Sequence, residues 1–283
     1  MKLQDWHTHN SMCHHAIGSL EDYIRKAIEL DLDLIGISDH FPYDYLIGIE
    51  GIPIDDYAML LEEIEDYISR IEYLKEKYNK QINIKIGFEI DFIENQVDGL
   101  NAHLNKFKSR LDFILGAVHI LFTENGPWAM DDNRFIEKYN SLGTDNVFLK
   151  YYQTLQKMIN SREFDFDIVS HFDLPKKFNK LPSEDSKELI MNEVYKTLDL
   201  IKKRDLVVEI NTAGFRKNIK EQYPNEDILK EMFKLDIPIL LGSDAHDPNE
   251  LSFRFKKISK LLKKLGYNKL ASFNKRKRIF IDI

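Results

Sequence analysis

A chain of 283 residues, 43% hydrophobic and 31% charged, has the apolar content to fill a core and is not a disordered polymer. Its formal net charge of -7 gives the surface as a whole no attraction for nucleic acid, although bound divalent metals would invert the field locally. Cys13 is the single cysteine, the start Met1-Lys2-Leu3-Gln4-Asp5-Trp6 carries no signal-peptide apolar region, and no apolar run nears the ~18 residues of a membrane span, so a reduced, cytoplasmic chain with no membrane partner is expected.

Strand-like and helix-like segments alternate along the whole chain. A first strand, 2–7, runs into His7-Thr8-His9. Ser19, with Asp22 three residues on, makes a capping-box-like start for a helix whose Leu20, Tyr23, Ile24, Ala27 and Ile28 share one face. The second strand, 33–38, ends at Ser38-Asp39-His40. Residues 41–54 follow as a connection without a clear helix, and then a long helical pattern runs over 55–80 with Leu60, Leu61, Ile64, Tyr67, Ile68, Ile71 and Leu74 as its stripe. Strand 83–89 closes on Glu89, helix 98–109 follows, and strand 112–118 closes on His119. Residues 120–144 read as a second long connection without structure of its own. Aromatic residues in both long connections favour loops folded over a site. Helix 145–161, strand 165–170 ending in Ser170-His171, helix 185–203, strand 206–211, helix 225–235, strand 237–242 leading into Ser243-Asp244-Ala245-His246, and helix 250–265 complete the pattern. The charge run Lys275-Arg276-Lys277-Arg278 reads as a solvated segment rather than a nucleic-acid or phosphate contact.

Seven strands, several of them near-continuous apolar runs, with no Pro/Gly/Ser linker between units, argue for one α/β barrel-like domain over 1–283. In such barrels the functional residues collect at the C-terminal ends of parallel strands, where these histidines and carboxylates fall. His7 and His9 flank one residue on a strand, so both side chains point to the same side and can grip one ion. Asp39 precedes His40 and is expected to orient it rather than bind metal, His103 to sit on the surface, and Cys13 to be a small buried side chain.

In this context the opening His7-Thr8-His9-Asn10-Ser11-Met12-Cys13-His14-His15 resembles that of the polymerase-and-histidinol-phosphatase (PHP) superfamily, specifically its monofunctional histidinol-phosphate phosphatases. The likeness continues through Ser38-Asp39-His40, Gly87-Phe88-Glu89-Ile90-Asp91, Gly116-Ala117-Val118-His119, Ser170-His171-Phe172-Asp173-Leu174 and Gly242-Ser243-Asp244-Ala245-His246. The resemblance implies a distorted seven-stranded (β/α)7 barrel, strands parallel, with three divalent ions (zinc, iron or manganese) at the C-terminal ends of the strands. It implies one ion on His7, His9, Glu89 and Asp244, a second on Glu89, His119 and His171, and a third on His15, His40 and His246. His14, where relatives often carry proline, competes with His15 for the last place.

Beyond the metals, a phosphatase needs positive charge where phosphate oxygens gather. Arg216, after the strand and small-residue turn Val207-Val208-Glu209-Ile210-Asn211-Thr212-Ala213-Gly214, offers a planar fork suited to phosphate. The resemblance implies the same role for it, and Lys176 and Lys177 are further candidates. The expected chemistry is hydrolysis of a small phosphate ester, L-histidinol phosphate first, by a metal-bridging hydroxide, with Glu89, Asp244 and Arg216 catalytic and Asp244 a proton shuttle. A phosphodiesterase or nuclease of the same superfamily is the alternative, which the acidic surface disfavours.

Overall fold

Ser19 Oγ accepts from the Asp22 amide at 3.3 Å while the Asp22 carboxylate takes the Ser19 amide at 2.8 Å, so the capping box sets the start of α1 (Leu20–Glu29). The computed structural model describes residues 3–283; Lys2, at the start of the expected first strand, lies outside the described residues. In chain order β1 (Gln4–Asp5) and α1 are followed by β2 (Leu34–Ile37), α2 (Ile64–Lys77), β3 (Asn83–Asp91), α3 (Val97–Leu104) and β4 (Phe113–Ala117). Next come β5 (Ile120–Thr123), β6 (Gly126–Ala129), α4 (Lys138–Leu142), α5 (Thr144–Asn160), β7 (Ile168–Val169), α6 (Lys187–Arg204), β8 (Val207–Asn211), α7 (Glu226–Lys234), β9 (Ile239–Gly242), α8 (Phe255–Leu265), β10 (Lys269–Asn274) and β11 (Lys277–Asp282).

The seven strands expected from sequence form one parallel sheet in the order β1-β2-β3-β4-β7-β8-β9. The two ends of the sheet meet: the Trp6 amide donates to Leu241 O at 3.0 Å, Asp244 N to His7 O at 2.8 Å, and Thr8 bridges Ala245 in parallel. The sheet is thus a nearly closed (β/α)7 barrel, as expected.

Period-two alternation sorts its residues. Ile35, Ile37, Ile84, Ile86, Phe88 and Ile114 face outward to the helices. Trp6, Leu34, Phe113, Leu115, Ile168, Val207 and Leu240 pack inward as a separate apolar cluster. Gly36 and Gly87 make room for Phe113, because a Cβ at either would stand 2.8 or 2.6 Å from its ring. The floor of the barrel is sealed by Ala271 and Phe273 of β10, and Trp6 packs edge-on to both Phe113 and Phe273 at 5.0 and 6.0 Å. Above this layer the inward positions turn polar.

Three expectations are corrected. The helix expected over 55–80 begins only at Ile64; residues 54–56 and 61–63 are short 3₁₀ turns, and Leu60 is exposed. The connection 120–144 is not structureless, since it holds the antiparallel β5–β6 hairpin and α4. Helix α3 stops at Leu104, ahead of the expected 109. The charge run 275–278 forms the β10–β11 turn and the start of β11; Lys275 and Lys277 are exposed, as expected of a solvated segment, while Arg276 meets Asp167 and, at 3.0 Å, Asp165. No helix among the described residues is long and apolar enough to cross a membrane.

Candidate metal centre

At the C-terminal rim of the barrel, alternation that buries Val207 inward also sends Glu209 and Asn211 inward, and on β3 it sends Glu89 and Asp91 there. The extended chain after β1 carries His7 and His9, whose Nε2 atoms lie 3.0 Å apart. Glu89 Oε2 stands 3.2 Å from His7 Nε2 and 3.4 Å from His9 Nε2, and Asp244 Oδ1 stands 3.4 Å from His9 Nε2. The other Glu89 oxygen, Oε1, lies 2.7 Å from His171 Nε2 and 3.8 Å from His119 Nε2, with His119 and His171 3.1 Å apart. The two oxygens of one carboxylate therefore face two separate groups.

The third expected group is looser. His15 Nε2 approaches His246 Nε2 at 3.0 Å, but the compact set of donor atoms is His9, His40 and His246. His9 stacks between the other two, 4.4 Å from His40 and 4.3 Å from His246, and the His15 ring lies 5.3 Å from His40. His14 adopts a left-handed backbone (φ 68°) that turns its ring outward to Asp55 O at 2.7 Å, so His15 rather than His14 joins the cluster. Asp244 is left-handed as well (φ 52°), and His171 has φ 22°; backbone strain of this kind collects at functional sites.

Behind the rings stands a second layer. Glu209 Oε1 accepts from His7 Nδ1 at 2.8 Å, Asp91 Oδ1 faces His119 Nδ1 at 3.0 Å, and Asp39 Oδ1 faces His9 Nδ1 at 3.3 Å. Cys13 O and Asp244 O pin the Nδ1 atoms of His15 and His246 at 2.9 and 3.0 Å. Each contact leaves Nε2 free toward the centre, the arrangement that orients metal-binding histidines. Asp39 thus serves the ring of His9, and reaches His40 only at its amide. Cys13 is fully buried, as expected, and His103 is partly exposed and tilted against Tyr45.

The electrostatics favour cations. Burial penalises a charged carboxylate at Glu89, yet His7, His119 and His40 outweigh it and hold the group well below the usual range; His7, His9 and His246 do the same for Asp244. Burial likewise opposes charging His119, but Asp91, Glu89 and Asp131 raise it to about 10, and hydrogen bonds from His9 to Asp244 and Asp39 raise His9 to about 9. His40 and His246 go the other way, pushed well down by burial and by His9. Such a cage attracts positive charge, whether protons on the imidazoles or divalent cations in their place. His40 Nδ1, buried, without a hydrogen-bond partner and 3.3 Å from Glu89 Oε2, is a further donor suited to an ion. The donor set of imidazoles and carboxylates fits zinc, iron or manganese.

The centre floors a cleft of about 760 Å³. Both long connections wall it, the first and the turns after it through Tyr43, Asp56 and Tyr57, the second through Asp131, Asp132 and Arg134, with Arg134 paired to Asp56 at 2.7 Å. They pack together through Tyr43, Ile49, Ile52, Ala58, Ile120 and Ala129. Arg216, also at the cleft, donates through Nη2 to Ser243 O and Asp244 O, each at 2.8 Å, and its Nε pairs with Glu250 at 3.1 Å; among the described residues Nη1 has no partner. Lys177 lines the cleft too, held 2.8 Å from Asp131.

Lys176 does not face the cleft. It is 2% exposed and spends its donors on Asp173, Glu221 and Gln222 O at 2.7–2.8 Å, which corrects its expected role in holding phosphate. Lys217, not singled out from sequence, stands at the mouth instead, its pKa lowered by desolvation and by nearby Lys177. Glu209 and Asp91 were also missed, although each lies two residues from a recognised inward position, which is the signal that finds them.

A family model described as the PHP domain matches residues 5–213. The chain is 30% identical over 275 residues to the Deinococcus radiodurans protein named "Probable histidinol-phosphatase", covering 97% of this chain and 98% of that one. It is 28% identical over 262 residues to the histidinol-phosphatase of Bacillus subtilis, covering 90% and 97%. Its fold is similar to the crystal structure of histidinol phosphate phosphatase from Lactococcus lactis, complexed with zinc, L-histidinol and phosphate: TM-score 0.77 at 21% identity, covering 98% and 99%.

Proposed function

The chain belongs to the PHP domain family, and from that premise we propose that it is a metal-dependent phosphomonoesterase hydrolysing L-histidinol phosphate to L-histidinol and phosphate, in the cytoplasm. The observation that carries the reading is the meeting, in one cleft, of a buried imidazole–carboxylate cage with the free Nη1 donor of Arg216. Similarity over nearly the full chain to proteins named for this activity supports it.

His7, His9, Glu89 and Asp244 would hold one divalent ion, Glu89, His119 and His171 a second, and His15, His40 and His246 a third, with zinc, iron or manganese as candidates. When bound, such ions supply Lewis-acid polarisation of the phosphoryl oxygens and a water acidified toward neutral pH. The chain's own groups do the rest. Arg216 donates from Nη1 to a phosphate oxygen, while Ser243 O, Asp244 O and Glu250 fix the plane of its fork. Lys177 and Lys217 add positive charge in the same cleft. Asp244, whose Oδ2 accepts from Asn211 Nδ2 at 3.2 Å, would take the proton of the attacking water at its carboxylate and return it to the leaving alkoxide. Asp56 and Asp132, which pair with Arg134, and Asp131, which pairs with Lys177, put carboxylates in the cleft that suit the cationic amine of histidinol.

The test is phosphate release from L-histidinol phosphate, a panel of small phosphomonoesters and a nucleotide diester, with defined divalent metals added. A preference of several hundredfold for histidinol phosphate, abolished by chelation and by His9→Ala, is the expected result. Metal-dependent turnover of the panel without that preference keeps the hydrolase and removes the substrate; turnover of the diester alone removes the phosphomonoesterase.

A further inference from the structure

The β10–β11 hairpin turns on two residues, Lys275 and Arg276, both left-handed (φ 49° and 63°), with Asn274 opposite Lys277. A two-residue turn of this kind makes the flanking residues a hydrogen-bonded pair. Pairing then alternates along the ladder. Ser272↔Ile279 and Leu270↔Ile281 exchange backbone hydrogen bonds, so Arg278, Phe280 and Asp282 direct their N–H and C=O groups away from β10, to the outer edge of β11. The Ile283 amide donating to Asn268 O at 3.0 Å fits this phase. Among the described residues nothing hydrogen-bonds to the backbone of that edge. β10 is buried over Leu270–Phe273, whereas Ile279 and Phe280 of β11 are 53% and 52% exposed, one on each face. A strand with a free edge and apolar side chains on both faces is a template for another strand.

We propose that β11 pairs antiparallel with β11 of a second copy of this chain, about a two-fold axis at Phe280, joining the two hairpins into one four-stranded sheet. The phase of the ladder selects the register. Only outward-directed residues hydrogen-bond across the new edge, and centring on Phe280 sets Arg278 against the second copy's Asp282, twice by symmetry, with Ile279 and its Ile281 facing one another between those bonds. Shifting the axis to Ile279 or Ile281 keeps the hydrogen-bond phase but removes the Arg278–Asp282 match. The sequence Lys277-Arg278-Ile279-Phe280-Ile281-Asp282, basic at one end, apolar in the middle and acidic at the other, is complementary to its own reverse. Arg278 already holds Asp205 of its own chain at 2.7 Å, which keeps its fork at this edge. The strand lies beneath the barrel floor, at the opposite end from the cleft, so the proposal stands apart from the catalytic reading.

Light scattering coupled to size exclusion, on full-length protein from about 5 to 200 μM, gives the test. The wild-type chain is expected to reach twice the monomer mass within this range, as suits a small interface. Arg278→Asp and Asp282→Arg, each alone, place like charges opposite and should leave monomers, while an equimolar mixture of the two variants should restore the dimer. Circular dichroism and unchanged phosphatase activity certify that each variant is folded. A monomeric wild-type chain at 200 μM overturns the proposal, as does a dimer that both single variants retain, or two monomeric variants that do not associate when mixed.

Discussion

Glu209 touches three groups of the centre at once. Its Oε1 meets His7 Nδ1 at 2.8 Å, its Oε2 accepts the His171 amide at 2.9 Å, and Asn211 Nδ2, which also reaches Asp244, lies 3.1 Å from it. Gly242 exists for this carboxylate: a Cβ there would stand 1.9 Å from Glu209 Oε1 and 2.7 Å from His7 Cβ. One buried side chain thus positions donors from two of the candidate metal-binding groups. Glu209→Gln keeps the shape, but with its amide oxygen toward the His171 and Asn211 donors its NH2 faces His7 Nδ1, so the acceptor and the charge that set the His7 ring are both lost. Metal affinity should fall about 10–100-fold, measured by competition with a chromophoric chelator, with circular dichroism unchanged; unaltered affinity would reduce Glu209 to packing. A second prediction concerns Arg216→Lys, which keeps a charge but loses the planar fork. It should raise KM for the phosphate ester and leave metal content, read by elemental analysis, untouched. The first layer was legible in the sequence because His, Glu and Asp ended apolar runs. Glu209 and Asp91 were harder to see: strand alternation turns each of them inward, but nothing in the local pattern separates a carboxylate that orients a ligand from one that is itself a ligand.

Among the elements, the barrel strands were legible because seven short apolar runs each ended in a polar functional residue, and the helices because their stripes held the 3.6-residue period. The elements that were missed have no strong period. Gly126-Pro127-Trp128-Ala129 carries both strand-breaking residues and becomes β6 only because the hairpin packs across the cleft wall. Leu60 and Leu61 continue the stripe of α2 on paper, but Pro53 and the loop packing against Tyr43 hold residues 54–63 in short turns. The C-terminal hairpin is fixed by groups distant in sequence: fully buried Asp112 accepts the amides of Ile86 and Lys275, both at 3.1 Å, and pairs with Lys75 at 3.2 Å. Burial opposes the ionised Asp112, but those amides and Lys75 prevail and lower its pKa below the usual aspartate value. A depressed carboxylate adds stability at pH values above its unfolded pKa of about 3.9, and that contribution is lost as pH falls through the folded value. Asp112→Asn should therefore cost about 1–3 kcal/mol at pH 7 and less as the buffer approaches pH 3. Urea midpoints at the two pH values check this; an equal loss at both would remove ionisation from the account.

At the scale of the whole molecule the barrel has two unlike ends, and its stability divides between them. The floor is apolar: Phe273 plugs the inner cluster at 3% exposure, and Phe273→Ala should cost about 3–5 kcal/mol through lost transfer and a cavity beside Trp6. The rim is a buried concentration of carboxylates and imidazoles, whose stability depends on what neutralises it. A ligand that binds only the folded state stabilises by RT ln(1 + [L]/Kd), about 4 kcal/mol at a thousandfold excess over Kd. Chelation should accordingly lower Tm by roughly 10 °C, at about 2–4 °C per kcal/mol for a chain of this size, and readdition of zinc should restore it. Phe273 packs on Trp6, the chain neighbour of His7, and effects at sites without shared partners add to within ~0.5 kcal/mol. Phe273→Ala should lower Tm in loaded and chelated protein by the same amount, leaving the metal-dependent increment intact, whereas Glu209→Gln should shrink that increment. Differential scanning calorimetry of the wild type and the two variants, each with and without chelator, gives the complete cycle. If the floor substitution erases the metal increment, the apolar layer is transmitting strain to the cage, and rim and floor form one cooperative unit rather than two.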